Sequence, residues 1–194
     1  MELSKRQKRL LAFVKEQHGQ QKRKYTGDPY WTHVYSVAER VSQLVPEGIE
    51  IALGHDLLED TSCTYELLKS FLSKNGYTAS EATQIADGVV ELTDVFVKED
   101  YPELNRKTRK EKEADRLSRI SPLAQSVKYA DLIDNNLSIV EHSSSFAKTY
   151  LMEKVDILDG MRLGNIHLLI HACAVLNNGL KELGLESWQG NSAG

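Results

Sequence analysis

The sequence predicts an all-α single domain. Three observations carry that prediction. Apolar residues recur at three- and four-residue intervals, no run shows sustained strict alternation, and only four prolines break the chain. A length of 194 residues suits one domain with one sizeable core.

The elements follow in order. Val34, Val37, Ala38, Val41, Leu44 and Val45 lay one apolar stripe along a helix, and Ile51-Ala52-Leu53 with Leu57-Leu58 continue the pattern after Pro46. Thr78-Ala79-Ser80-Glu81 is a capping-box signature, because the Thr hydroxyl and the Glu carboxylate can each take a free amide at a helix start. The helix it opens runs toward Leu92. Ser121-Pro122 supplies an N-cap followed by proline at the first helical position, opening a helix through Val127 and Ala130 to about Leu137. Two further helices are expected over 145–159 and 162–183, the last ending near Gly184. The charged segment from Glu99 to Arg119 reads as a solvated helix laced with ion pairs. Residues 1–183 therefore read as the domain, and 184–194, rich in Gly, Ser and Asn, as a flexible tail.

Composition excludes several classes. With 41% hydrophobic and 27% charged residues the chain is an ordinary globular protein. A net charge of −4 argues against a nucleic-acid module that relies on overall positive charge. No apolar run is long enough to span a bilayer, and the basic start has too short an apolar run for a signal peptide, so a cytoplasmic protein without a membrane partner is expected. Cys63 and Cys173 can form neither a disulfide framework nor a four-Cys zinc site, and both are expected to be reduced thiols.

The sharpest chemical feature is His55-Asp56, bracketed by Ala52-Leu53-Gly54 and Leu57-Leu58, with Glu59, Asp60 and Thr61 beyond. Charged groups inside an apolar helix cost free energy unless they are paired or bound to a metal. Neighbouring residues on a helix point about 100° apart, so a His-Asp pair converges on one ion only near a helix end or with partners elsewhere. Glu59 and Asp60 lie one turn past Asp56, on its side. Further ligands are on offer: His33 follows the turn-forming Thr26-Gly27-Asp28-Pro29-Tyr30, and Asp131 interrupts an apolar helix. Asp131 and Asn135, four apart, share a face from which Asp134 is turned away.

These blocks, taken in order, resemble the HD-domain hydrolases of the RelA/SpoT type. Gln17 to Lys24, then Gly27-Asp28-Pro29-Tyr30 and His33, resemble the family's opening, and Ala52 to Thr61 its His-Asp block. Glu91-Leu92-Thr93-Asp94 is similar to the motif closing its next helix, and Val127-Lys128-Tyr129-Ala130-Asp131 with Asn135 to its last metal-binding helix. The resemblance spans roughly residues 10 to 160, and the chain's length is similar to that of the small stand-alone alarmone hydrolases. It implies an HD-domain helical bundle holding one divalent ion, usually Mn²⁺, on His33, His55, Asp56 and Asp131. It further implies Glu59 and Asp60 as the catalytic carboxylates. Arg23, Lys24, Asn135 and Tyr150 would bind substrate. The implied reaction is removal of the 3′-pyrophosphate of (p)ppGpp. Hydrolysis of another nucleotide, such as a nucleoside monophosphate or a phosphorylated dinucleotide, and nucleotide sensing without hydrolysis are the alternatives. A small-molecule nucleotide is the partner in each case, and a homo-oligomer is compatible with all of them.

Four positions depart from the family pattern. Val34 replaces a proline and Gly54 a bulky apolar residue, both as packing variations. Phe146, one turn before Tyr150, stands where an arginine is expected, and Glu103 where a lysine is expected. Lys98, Arg106, Lys107 and Lys148 are the candidates to supply the missing charge. Outside the resemblance, His167 and His171 have the i,i+4 spacing of a metal pair but sit among Leu, Ile and Ala, which favours a core or interface role. Ser143-Ser144-Ser145 reads as a loop and helix cap.

Overall fold

The structure, a computed structural model, describes residues 1–142 and 144–190. Among the described residues it is built from α-helices, with a lone antiparallel bridge between Lys22 and Pro29 and no longer strand. The all-α prediction holds. The helices are α1 (Lys5–His18), α2 (Trp31–Ser42), α3 (Ile49–Gly54), α4 (Leu57–Asp60), α5 (Tyr65–Lys74), α6 (Ala79–Leu92), α7 (Arg106–Leu117), α8 (Pro122–His142), α9 (Ser144–Gly160) and α10 (Ile166–Glu182).

Local signals explain most of the boundaries. Thr78 Oγ1 accepts from the Glu81 amide at 3.2 Å while Glu81 Oε2 accepts from the Thr78 amide at 2.7 Å, the reciprocal cap expected for α6. Ser121 Oγ accepts from the Ala124 amide at the start of α8. That helix runs five residues past the expected end at Leu137. The α2 stripe is buried through Val41, but the helix stops at Ser42, so Leu44 is left 43% exposed rather than continuing the apolar face.

The long α8 organises the fold. It packs against α2, α6, α9 and α10, and its residues 124–134 are almost all buried. A helix enclosed on all sides must satisfy every polar group it carries. Gln125 Oε1 accepts from the Leu163 amide at 2.8 Å, and Ser126 Oγ accepts from the Asn165 amide at 2.8 Å, so the α9–α10 connection is stitched onto α8. Gly164 makes that approach feasible: a Cβ there would sit 2.5 Å from the Tyr129 ring and 2.9 Å from the Ser126 backbone nitrogen.

Three expectations meet the structure differently. The charged segment does form a helix, α7, but its inner face is not solvated: Glu113 is buried and accepts from the Val95 and Phe96 amides and from Arg116. His167 and His171 are exposed on the outer face of α10, not in the core. Of the segment read as a tail, Leu185 donates its amide to Leu180 O, and Trp188 exchanges two hydrogen bonds with the Asn177 side chain. Residues 191–194, and Ser143 of the expected serine loop, lie outside the described residues. Among the described residues no helix is long and apolar enough to cross a membrane.

Candidate metal centre and cleft

Three parts of the chain meet at one point. α2 carries His33, the turn between α3 and α4 carries His55 and Asp56, and α8 carries Asp131. The break between α3 and α4 solves the divergence problem noted for adjacent helical residues: His55 ends α3 with helical backbone angles, Asp56 departs from them, and both side chains meet the same neighbours. Asp131 Oδ1 lies 3.2 Å from His33 Nε2 and 3.8 Å from His55 Nε2. Asp56 Oδ2 lies 3.1 Å from His55 Nε2 and 3.6 Å from His33 Nε2.

The imidazoles are set up as ligands. His55 Nδ1 is 2.8 Å from Ala52 O, which can only accept, so Nδ1 carries the proton and Nε2 faces the carboxylates. His55 Nε2 is buried and has no hydrogen-bond partner. His33 Nδ1 likewise donates to Asp134 Oδ2 at 2.8 Å, leaving Nε2 for the same centre. Lone pairs facing carboxylate oxygens in a buried site repel unless positive charge sits between them. The titration of the bare site says the same. Burial disfavours both imidazolium ions, yet Asp131, Asp134 and Asp56 hold His33 above its usual range, and Asp56 and Asp131 hold His55 well above it. Burial would raise the Asp131 carboxyl, but Lys128, His33 and His55 keep it well below the usual carboxylate range. Two imidazoles and two carboxylates, with no thiolate, suit a divalent cation with a preference for nitrogen and oxygen donors.

The centre opens onto a cleft of two lobes that share Tyr30, Asn135 and Tyr150. One lobe, about 170 Å³, is aromatic and is lined by Arg23, Lys24, Tyr25, Phe146 and the rim of His33. The other, about 160 Å³, is charged: Asp56, Glu59, Asp94 and Asp131 face Lys110, Lys128 and Lys154. Lys110 pairs with Asp94 at 2.9 Å and Lys128 with Asp131 at 2.8 Å. Glu59 Oε2 accepts from the Asp94 amide at 3.1 Å, and burial together with the Asp94 carboxylate pushes its own carboxyl up to about 7. A larger hollow of about 690 Å³ between α1, α3 and α6 is remote from these donors; it is lined by Arg6, Glu50 and Tyr77.

The structure brings most of the expected residues together. His33, His55, Asp56 and Asp131 converge, Glu59 lines the charged lobe, and Tyr150 stands between the lobes. Asn135 Nδ2 donates to Asp131 Oδ1 at 2.6 Å, so it orients a candidate ligand as well as lining both lobes. Asp60 is exposed and accepts from Gln21 Nε2 at 3.2 Å. Arg23 pairs with Asp134 at 2.8 Å, and Lys24 lies at the aromatic edge, 5.9 Å from the Phe146 ring. Of the cations weighed against Phe146 and Glu103, Arg106 reaches the Phe146 ring at 5.4 Å while pairing with Glu153. Lys107 instead pairs with Glu111, and Lys98 and Lys148 are exposed outside both lobes.

Asp134 is the main residue misplaced by spacing. It is not turned away: it takes the His33 Nδ1 proton, the Ser36 hydroxyl at 2.6 Å and the Arg23 guanidinium. A residue three positions after Asp131 is only about 60° off its face, and α2 packs into that gap. Tyr30, which donates to Asp56 Oδ2 at 2.8 Å, was also missed, as were Lys110 and Lys154. Asp134→Ala is expected to leave the fold intact and weaken metal binding about 10–100-fold, the usual effect of removing a ligand's outer partner. Metal titration of the purified variant checks this; unchanged affinity would show that His33 needs no such support.

No family model matches the chain. A curated guanosine-3′,5′-bis(diphosphate) 3′-pyrophosphohydrolase of Aquifex aeolicus is 38% identical over 101 residues, which cover 51% of this chain and 14% of that protein. The chain thus matches only about one-seventh of that relative's length. A solved structure described as a metazoan ortholog of SpoT that hydrolyzes ppGpp and plays a role in starvation responses superposes with a TM-score of 0.74. At 22% identity the match covers 96% of this chain and 99% of that one, so the two share a fold.

Proposed function

We propose that the chain is a metal-dependent phosphohydrolase that removes the 3′-pyrophosphate of guanosine tetra- and pentaphosphate. The products are pyrophosphate and the 5′-phosphorylated nucleoside. The observation that carries this reading is the buried donor group of His33, His55 and Asp131, with half-buried Asp56 against both imidazoles and His55 Nε2 unpartnered, opening onto a lobe lined by lysines. The names of the relative and of the structural neighbour agree with it.

The four donors would hold one divalent ion; nitrogen–oxygen ligation without sulfur argues against a thiolate-loving one, and manganese is the ion the family resemblance implies. Such an ion, when bound, supplies Lewis-acid polarisation of the phosphoryl group and of the attacking water. The chain's own residues do the rest. Glu59, near neutrality in its pKa, takes the proton of the water, and Asp60, exposed beyond it, is the second carboxylate of this reading. Arg23 and Lys24 offset phosphate charge, Asn135 fixes Asp131, and Tyr150 separates the nucleoside end from the phosphate end. On this reading the protein works on a soluble nucleotide in the cytoplasm.

The test is release of pyrophosphate from (p)ppGpp by purified protein with manganese. Turnover no higher than that of a His55→Ala control overturns the substrate assignment. Phe146 gives a second reading some ground, since an aromatic ring stands where a phosphate-binding cation is expected. A panel of phosphorylated nucleotides assayed in parallel separates the two; preference for a non-alarmone substrate favours the second.

A further inference from the structure

We propose that Lys154, together with Lys110 and Lys128, forms a subsite for a pyrophosphoryl group, and that it carries the cationic role that Phe146 does not. The inference rests on the phosphohydrolase reading and adds to it where the second phosphate binds.

Phe146, Tyr150 and Lys154 are spaced i, i+4, i+8 and so share one face of α9. Phe146 and Tyr150 line the aromatic lobe, whereas Tyr150 and Lys154 line the charged one. A cation two turns beyond Phe146 therefore serves the same cleft from the other side of Tyr150. Its ammonium lies 4.5 Å from the Tyr150 ring centroid, which keeps the side chain along the cleft wall.

The charges around Lys154 leave it in need of an anion. Asp94 is engaged by Lys110, and Asp131 by Lys128. Glu113 is committed to two backbone amides and to Arg116. Glu59 Oε2 is engaged by the Asp94 amide. Among the described residues no carboxylate pairs with Lys154 at ion-pair distance. Consistently, desolvation and the neighbouring Lys128 and Lys110 push its ammonium down to about 8, the response of a half-buried cation crowded by like charge.

This arrangement distinguishes one phosphate from two. A phosphoryl group held at the donor set already faces Lys128. A second group, joined through a bridging oxygen, extends into the lobe, where ammonium groups from α7, α8 and α9 converge. A lone orthophosphate gains little from Lys154; a pyrophosphoryl group gains a charge-assisted contact.

Binding of inorganic pyrophosphate and of orthophosphate to the manganese-loaded protein, followed by calorimetry, tests the subsite without turnover. Lys154→Met is expected to weaken pyrophosphate at least about 10-fold and orthophosphate by less than about threefold. Lys154→Arg should restore most of the difference, and Lys148→Met, an exposed position on the same helix, should change neither ligand. Thermal melting of each variant confirms folding. Pyrophosphate binding within twofold of wild type in folded Lys154→Met overturns the subsite, even if the enzyme releases pyrophosphate from (p)ppGpp. Lys154-dependent pyrophosphate binding in a protein that leaves (p)ppGpp intact would uphold the subsite and overturn only the substrate assignment.

Discussion

Asp131→Asn is expected to abolish metal binding and turnover together. Asp131 is the hub of the centre: one oxygen faces both histidines and accepts from Asn135, and the other holds Lys128. Removing its charge takes away a candidate ligand and leaves the Lys128 ammonium without its partner. Breaking a buried pair in this way costs about 3–5 kcal/mol, so the variant should also melt earlier. Asparagine keeps the shape and one acceptor oxygen, which isolates the charge better than alanine does. Metal content and initial rates on one preparation decide the matter. A variant that retains a full equivalent of metal would show that Asp131 is not a ligand.

Glu59→Gln should behave differently, retaining most of the metal while losing about 10²–10⁴-fold in rate, the range for a general acid–base group. Glu59 stands beside the centre, not in it, and its Asp94 amide contact survives the change to an amide oxygen. The pH dependence gives a second readout. The base is active when ionised, so the wild-type rate should rise with pH through the Glu59 pKa, set near 7 by burial and Asp94. A bound divalent ion favours the carboxylate and moves that limb below 7. In Glu59→Gln the limb should vanish. A variant that strips the metal, or that keeps the wild-type pH limb, would assign the proton transfer elsewhere.

Helix class and capping were legible because each rests on local pattern, whereas the meeting of His33, His55, Asp56 and Asp131 was expected only from the family resemblance. The Thr78–Glu81 cap needs only four residues, and His55-Asp56 stands out against its leucines without knowledge of the fold. Partners that depend on how helices cross were not legible. Asp134 was misplaced because spacing on α8 ignores where α2 docks, and the 60° offset from Asp131 is filled by His33 and Ser36. Lys110 was hidden inside a run of charge that reads as solvent-facing until Asp94 and Glu113 are seen on its inner side. Lys154 lacked any local signal except its spacing from Tyr150. The α2 stripe failed at Leu44 because periodicity does not register where a helix stops.

The break between α3 and α4 has a consequence for how the molecule assembles. Neither helix, at six and four residues, is long enough to persist alone in water. The angle between His55 and Asp56 therefore exists only once Leu53 and Leu57 are seated in the core. His33 and Asp134, bonded side chain to side chain, are 101 residues apart in sequence, so joining them closes one of the chain's long loops. The donor set thus exists only in the folded chain and is absent from the unfolded ensemble. An ion that recognises only the assembled set acts as a clasp on the tertiary structure, worth about 2.7 kcal/mol at a free concentration one hundred times its dissociation constant. Loss of the ion and loosening of the α2–α8 contact are then two descriptions of one equilibrium.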